Sequence, residues 1–404
     1  MSDPAKLRVL CIHSKLTPFG GGNMVGAWVL EALKSAHDVT MLTWMPPDLE
    51  GINAAFGTRL APGDVRWLFP SRPARALVNC IPDDSDFQKL TWLLRICKRI
   101  HWRYDLLIAS DGEVDFGRPG VQYIHYPYLA KHDRNLRQFG NLSGWRIVPA
   151  LVRRIYRPWM AISGFSFDSM RSNLPLANSQ WVADVYHRLY GVNAQVLYPP
   201  VPGDYPQSPW DRRANHIVSL SRLNEDKHHL RIVETVRKVR ERFPSIQLHI
   251  VGARDASPKG RTYFKTLQSA AARYPDWVFL HTDMRREELT RLLCSARYGI
   301  HFKPEEHFGI AVAEMVRAGM IPFVHRSGGQ VEIVGRQSAL MFQDEDEAAS
   351  RIASVMADPD LRAGVLRGLE GRRELFTAER FSAELLRWVN QFAADGPPKS
   401  MANN

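Results

Sequence analysis

Tyr298-Gly-Ile-His-Phe-Lys-Pro-Glu-Glu-His-Phe-Gly-Ile-Ala-Val-Ala-Glu-Met-Val-Arg-Ala-Gly-Met-Ile-Pro-Phe-Val-His-Arg-Ser-Gly-Gly-Gln330 reads as a strand, a loop, a helix, a second strand and a glycine-rich turn. Tyr298 to Phe302 is a short apolar run of β-formers, and Lys303 to Phe308 is polar and holds Pro304. Gly309 to Ala318 has helical composition and is stopped by Gly319, and Ile321 to Val324 is a second buried-type strand. This is one βαβ unit, with its loop at the carboxyl end of the first strand, where open α/β sheets bind ligands. Glu306 stands just before the helix and Glu314 inside it. Between them the amides of about His307, Phe308, Gly309 and Ile310 make a helix N-terminus suited to a phosphate. A carboxylate on either side of a phosphate cradle suits a ligand with hydroxyls at both ends, Glu306 for sugar hydroxyls and Glu314 for a ribose diol. The plainer alternative is that Glu314 pairs with Arg317 on a solvated face and Glu306 caps the helix. The apolar run Ile310 to Met315 argues instead for a buried helix, in which a carboxylate needs a partner.

Glu306-His-Phe-Gly-Ile-Ala-Val-Ala-Glu314, with Ala318-Gly-Met-Ile-Pro322 and Ser327-Gly-Gly329 after it, resembles the donor-site signature of family-4 retaining glycosyltransferases of the GT-B fold. The wording is closest to the dolichol-pathway α-1,2-mannosyltransferases. The resemblance implies an α/β chain of two doubly wound, Rossmann-like domains facing a cleft. It also implies hexose transfer, mannose favoured, from a nucleotide sugar such as GDP-mannose to a lipid-linked or other glycan acceptor. No cofactor or metal is expected beyond that donor.

At 404 residues the chain is long for one core and suits two domains. Cys11, Cys80, Cys97 and Cys294 are scattered without CxxC or metal spacing, which fits a reducing, cytoplasmic setting. The start, Met-Ser-Asp-Pro-Ala-Lys, runs into a strand without signal-peptide character, and no run of 18 apolar residues occurs. The dolichol-pathway relatives are expected to carry a membrane segment ahead of this point. The formal net charge of +11 favours an anionic partner: nucleic acid, an anionic membrane or a phosphorylated substrate.

In the first half Leu7 to His13 is a strand and Met24 to Ser35 a helix, joined by Pro18-Phe-Gly-Gly-Gly-Asn23. That loop matches neither GxGxxG nor the P-loop. By resemblance Gly21 and Gly22 border the cleft near the transferred phosphate, with Asn23 where relatives often carry a charge. Val121-Gln-Tyr-Ile-His-Tyr-Pro127 resembles the family's Tyr-Val-His-Tyr-Pro segment, so the resemblance places His125 against the sugar. The segment 131–160 interleaves arginines and lysines with Phe139, Trp145, Tyr156 and Trp159. It reads either as a surface that lies peripherally on an anionic membrane or as a solvated face with some aromatics in the core. Asn178-Ser179 ends a strand and Ser179 caps the next helix. Prolines at 199, 200, 202, 206 and 209 mark the linker, residues 199–213.

In the second half Ile217 to Ser221 is a strand followed by Arg222-Leu-Asn-Glu-Asp-Lys227. Two cations five apart on a βα loop can face a diphosphate, and by resemblance Arg222 and Lys227 neutralise the leaving group. The strand end at His281 is expected to hold the nucleobase through backbone groups. The expected domains are 1–205 on the acceptor side, 206–375 on the donor side, a helix over 376–392 crossing back to the first domain, and a disordered tail 393–404. His125, Glu306, Arg222 and Lys227 are the expected catalytic residues. Gly21, Gly22, Arg222, Lys227, His281, His307, Phe308, Gly309, Ile310 and Glu314 are the expected donor-binding residues. Asp83, Asp84 and Asp86 form an acidic loop away from the donor motif. The rival readings are a basic nucleic-acid-binding protein, against which no RNP, KH or helix-turn-helix signature appears, and a GT-B sugar-nucleotide epimerase.

Overall fold

A computed structural model describes residues 6–17, 20–80, 87–132 and 158–396 (at 131 and 132 the backbone alone). The chain divides into two units. One runs to Pro202 and takes in the chain from Ala378 on, and the other is Gly203–Thr377.

In the first unit β1 (Arg8–Ile12), β2 (Asp38–Leu42), β3 (Arg66–Leu68), β4 (Leu106–Ala109), β5 (Val121–Ile124), β6 (Leu174–Ala177) and β7 (Gln195–Val196) form one sheet. Its order is β3-β2-β1-β4-β5-β6-β7, and every described pair is parallel. Parallel strands need helices on both faces, so their sequences are continuous apolar runs rather than alternating ones. Val9 to Ile12, Leu106 to Ala109 and Val121 to Ile124 are buried throughout. The order reverses between β1 and β4, which opens a crevice beyond their carboxyl ends. Helix Gly21–Leu33 follows β1, and the long helix Ala378–Asp395 packs on it within this unit. Phe381 of that last helix meets Tyr123 edge-on, ring centroids 6.3 Å apart.

The second unit repeats the plan with β8 (Ala214–Leu220), β9 (Gln247–Gly252), β10 (Val278–Thr282), β11 (Ala296–His301), β12 (Ile321–His325) and β13 (Met341–Phe342). The order is β10-β9-β8-β11-β12-β13, again parallel, with its switch between β8 and β11. The loops after β8 and β11 are therefore the two that open onto one crevice.

Several boundaries differ from the sequence expectation for local reasons. The first helix starts at Gly21 rather than Met24, so Gly21 and Gly22 belong to its first turn and not to a loop. The strand expected over Tyr104–Asp111 shortens to Leu106–Ala109, because Asp105 turns out to bind the Arg8 amide at 2.8 Å and its guanidinium at 2.7 and 3.1 Å. The last helix runs beyond the expected span, to Asp395. Ser179 does cap its helix, its Oγ accepting from the Val182 amide at 3.1 Å. Most of the basic–aromatic stretch, 133–157, and the acidic loop at Asp83, Asp84 and Asp86 lie outside the described residues. Trp159 packs partly buried against the first core.

Candidate functional site

The second crevice is built by the loop from β11 to helix Ile310–Arg317 and by the short turn after β8. Pro304 and Glu305, the latter at φ 51°, turn the chain sharply after Phe302. The Ser327-Gly-Gly329 turn then clamps Glu306. The Gly329 amide donates to the Glu306 carbonyl at 2.8 Å, and Ser327 Oγ accepts from the Glu305 amide at 2.8 Å. Gly328 cannot be replaced cheaply: its φ is +78°, and a Cβ there would lie 2.3 Å from the Glu306 carbonyl oxygen. Gly309, at φ 106°, swings the backbone into the helix, whose first amides have no carbonyl of their own helix to reach.

The clamp aims Glu306 at Lys227. The ammonium lies 2.5 Å from Glu306 Oε2, Lys303 Nζ is 3.9 Å away, and His301 Nε2 is 3.2 Å from the same oxygen. A carboxylate only accepts, so His301 carries its proton on Nε2. Burial alone would raise the Glu306 carboxyl, yet the His301 hydrogen bond and the Lys227 charge hold it well below the usual range. Burial pushes the Lys227 ammonium down, with Lys303 and Arg222 adding to that and Glu306 opposing it. Burial likewise keeps His301 neutral. Arg222 is exposed beside this group. Lys227 and Lys303 thus converge on the Glu306 carboxylate, with Arg222 close enough to act on Lys227.

Glu314 is 8% exposed. Its Oε1 accepts from Arg286 Nη1 and from the Tyr205 hydroxyl at 3.4 Å, while Arg286 also bonds that hydroxyl. The Arg317 guanidinium sits over the Tyr205 ring, 5.1 Å from its centroid. The helix is as buried as its apolar run implies, and the partner the carboxylate needs comes from 28 residues upstream. His281 on β10 is half-buried, its Nε2 3.0 Å from His249 Nδ1. His307, Phe308, Gly309 and Ile310 follow Glu306 into the helix, with Phe308 buried against Phe376, ring centroids 5.8 Å apart.

The first crevice holds His125 and a cluster the sequence reading missed. His125 Nε2 is 2.9 Å from the Ser110 carbonyl, so that nitrogen carries the proton and Nδ1 is left as the acceptor. Burial pushes the ring down to about 4 and keeps it neutral. A side chain begun at Gly22 would touch the His125 ring at 3.6 Å, which places helix Gly21–Leu33 against it. Beneath lies His13, 1% exposed, with Nδ1 2.9 Å from Asp111 Oδ1 and Nε2 3.0 Å from Asn23 Oδ1. Burial would lower His13, but the Asp111 charge prevails and raises it, while the same contact lowers Asp111. β1 and β4 are the strands flanking the switch point, which is why His13 and Asp111 meet.

Lys303, His301, Arg286 and Tyr205 escaped the sequence reading as well. Lys303 and His301 stood in the quoted segment without a motif role, and only tertiary packing brings Arg286 and Tyr205 to Glu314. Among the described residues no group of three or more His, Cys, Asp or Glu is placed to hold a metal. Nor is any helix among them long and apolar enough to cross a membrane.

Two parallel sheets of Rossmann-like type, each with charged loops at its switch point, define the GT-B class of glycosyltransferase folds. Residues 204–365 match the family described as Glycosyl transferases group 1. Among curated relatives, the chain is 25% identical over 237 residues to a GDP-Man:Man(3)GlcNAc(2)-PP-Dol alpha-1,2-mannosyltransferase of Dictyostelium discoideum, covering 54% of this chain and 47% of that protein. It is 24% identical over 296 residues to the Homo sapiens protein of the same name, covering 67% and 60%. The chain thus spans about half the length of the curated relatives it matches. Of solved structures, Anabaena HepE in complex with UDP-glucose superposes with a TM-score of 0.64 at 15% identity, over 95% of this chain and 100% of that one. The chain is a GT-B glycosyltransferase relative whose kin by sequence include dolichol-pathway mannosyltransferases.

Proposed function

We propose that the chain is a retaining glycosyltransferase of family 4 that moves a hexose, with mannose favoured, from a nucleoside diphosphate sugar to a glycan or lipid-linked acceptor. The observation that carries this reading is the Lys227–Glu306 contact beside Arg222, Lys303 and the first amides of helix Ile310–Arg317. A diphosphate leaving group develops negative charge as the glycosidic bond breaks, and fixed cations with helix amides in a partly desolvated crevice stabilise it. In this reading Lys227 and Arg222 meet the diphosphate. Glu306 hydrogen-bonds sugar hydroxyls while keeping Lys227 charged, and Glu314, oriented by Arg286 and Tyr205, takes the ribose diol. His125 offers Nδ1 as an acceptor for a sugar hydroxyl, and His281 marks the strand end at which backbone groups meet the base. The acceptor attacks from the face the diphosphate leaves, and the departing phosphate oxygen takes the acceptor's proton. GDP-mannose is favoured because the relatives' names specify GDP-Man. In this reading the chain works in the cytoplasm, peripherally on the membrane face.

The test is a thermal-shift panel of GDP-, UDP- and ADP-sugars on the wild type and on Glu314→Ala. One nucleotide series stabilising the wild type alone supports the reading. No shift with any donor sinks it.

A further inference from the structure

We infer that a cleft in the first domain is an anion site for the phosphoryl or pyrophosphoryl group of the acceptor. The word acceptor rests on the transferase reading above; the anion site rests on its own geometry. The cleft, about 790 Å³, lies beyond the carboxyl ends of β1 and β2, a volume that suits a small molecule. Lys15 follows β1, Trp44, Met45 and Pro46 follow β2, and helix Arg72–Asn79 supplies another wall with Lys89 beside it. Arg72, Arg75 and Asn79, at i, i+3 and i+7, share one face of that helix.

The chemistry of the lining is one-sided. Among the described residues it has four cations, Lys15, Arg72, Arg75 and Lys89, and no carboxylate. Asn79 adds to the bias. Its Oδ1 accepts from Trp44 Nε1 at 2.9 Å, and an indole N–H can only donate, so the amide N–H groups are what Asn79 has left to offer. Arg75 Nε is buried with no hydrogen-bond partner among the described residues. A buried donor without an acceptor is costly, and a ligand made of acceptor oxygens relieves that cost. Arginine forks bind phosphate oxygens in pairs, so Arg72 and Arg75 on one helix face suit a phosphoryl or pyrophosphoryl group, with Lys15 and Lys89 lining the same cleft. Trp44, Met45 and Pro46 give the apolar wall for whatever the phosphate carries, and Met45 is 45% exposed at the mouth.

Calorimetric titration of the full chain with inorganic pyrophosphate tests this, because the donor domain offers a separate set of diphosphate cations. The wild type is expected to take up two equivalents. Arg222→Gln/Lys227→Gln should retain the first-domain step, and Arg72→Gln/Arg75→Gln should weaken it on the order of 10-fold or more. Thermal melts show whether each variant is folded, and Arg75→Lys should recover part of the binding. A first-domain step unchanged in Arg72→Gln/Arg75→Gln overturns the inference. A wild type in which only the Arg222 and Lys227 step is missing instead overturns the donor reading and leaves this site standing. In transfer assays Arg72→Gln/Arg75→Gln should raise the KM for acceptor and leave the KM for nucleotide sugar unchanged. Displacement of pyrophosphate by vesicles carrying a polyprenyl pyrophosphate identifies a lipid-borne group, and displacement by a soluble sugar phosphate a soluble one. Displacement by neither overturns the acceptor assignment.

Discussion

Removing the ammonium of Lys227 is the sharpest perturbation of the second crevice. Its Nζ stands 2.5 Å from Glu306 Oε2, with the two side chains 13% and 16% exposed. At that distance and an effective dielectric near 20 the gross attraction is about 6–7 kcal/mol. Most of it offsets the desolvation of both ions, so the informative quantity is the cost of leaving Glu306 alone. Stripping one partner from a buried pair costs about 3–5 kcal/mol. Lys303, already 3.9 Å from the same oxygen, and the His301 N–H soften this. We therefore expect Lys227→Ala to destabilise the second domain by about 2–3 kcal/mol. Glu306→Gln should cost less, because the amide keeps an oxygen that accepts from Lys227 and from His301. Urea unfolding of the wild type, both single variants and the double variant gives the coupling energy, which should exceed about 1 kcal/mol. A coupling within about 0.5 kcal/mol of zero, as for an exposed pair, would refute the electrostatic argument. Separately, Lys227→Ala should lower the transfer rate on the order of 100-fold or more. A folded variant with near-normal turnover would make Lys227 purely structural.

Other outcomes follow from the same geometry. Arg286→Ala takes the cation from Glu314 and should cost about 1–3 kcal/mol together with the thermal shift given by the nucleotide; a retained shift separates Arg286 from ligand binding. Gly328→Ala puts a methyl 2.3 Å from the Glu306 carbonyl at φ +78°, so a melt should show a loss of about 2–4 kcal/mol, and an unchanged melt would contradict the clamp. Stability should fall with acidification below pH 6.5, because burial holds His125 and His249 down at about 4 and His229 at about 3. The unfolded chain binds those protons first, so each ring contributes a slope of up to about 1.4 kcal/mol per pH unit between its folded value and 6.5. His13, raised by Asp111, has the opposite sign: its contribution is complete below 6.5 and is lost as pH rises through its folded value. Urea midpoints that stay flat from pH 7 to 5 would contradict the neutral, buried assignment of the three rings.

What the sequence made legible was local, and what it hid was tertiary. The βαβ segment from Tyr298 to Gln330 could be read because strand, helix stop and glycine turn each leave a mark within a few residues. Ser327-Gly-Gly329 was readable as a turn, but not its clamp on Glu306, which is a contact to backbone groups 22 or more positions away. The strand order was not legible, and it decides which loops meet. Lys227 and Glu306 lie 79 positions apart and touch because β8 and β11 are neighbours at the switch point. His13 and Asp111 meet because β1 and β4 are, and neither residue stood in a motif. Glu314 shows the limit most clearly. Its burial was readable from Ile310 to Met315, and so was its need for a partner. The partner itself was not, since Arg317 at i+3 was the nearest cation in the chain but covers the Tyr205 ring, while Arg286 arrives from another helix. The four-cation cleft has the same character. Lys15, the pair Arg72 and Arg75, and Lys89 are unremarkable in three separate segments and become a site only because β1 and β2 run side by side. The crevice proposed for the donor draws on two βα loops, those after β8 and β11, and only the second carries a long contiguous motif. The cleft proposed for the acceptor is gathered from several segments of the first domain, so the pyrophosphate titration bears on the part of the protein that the sequence leaves least determined.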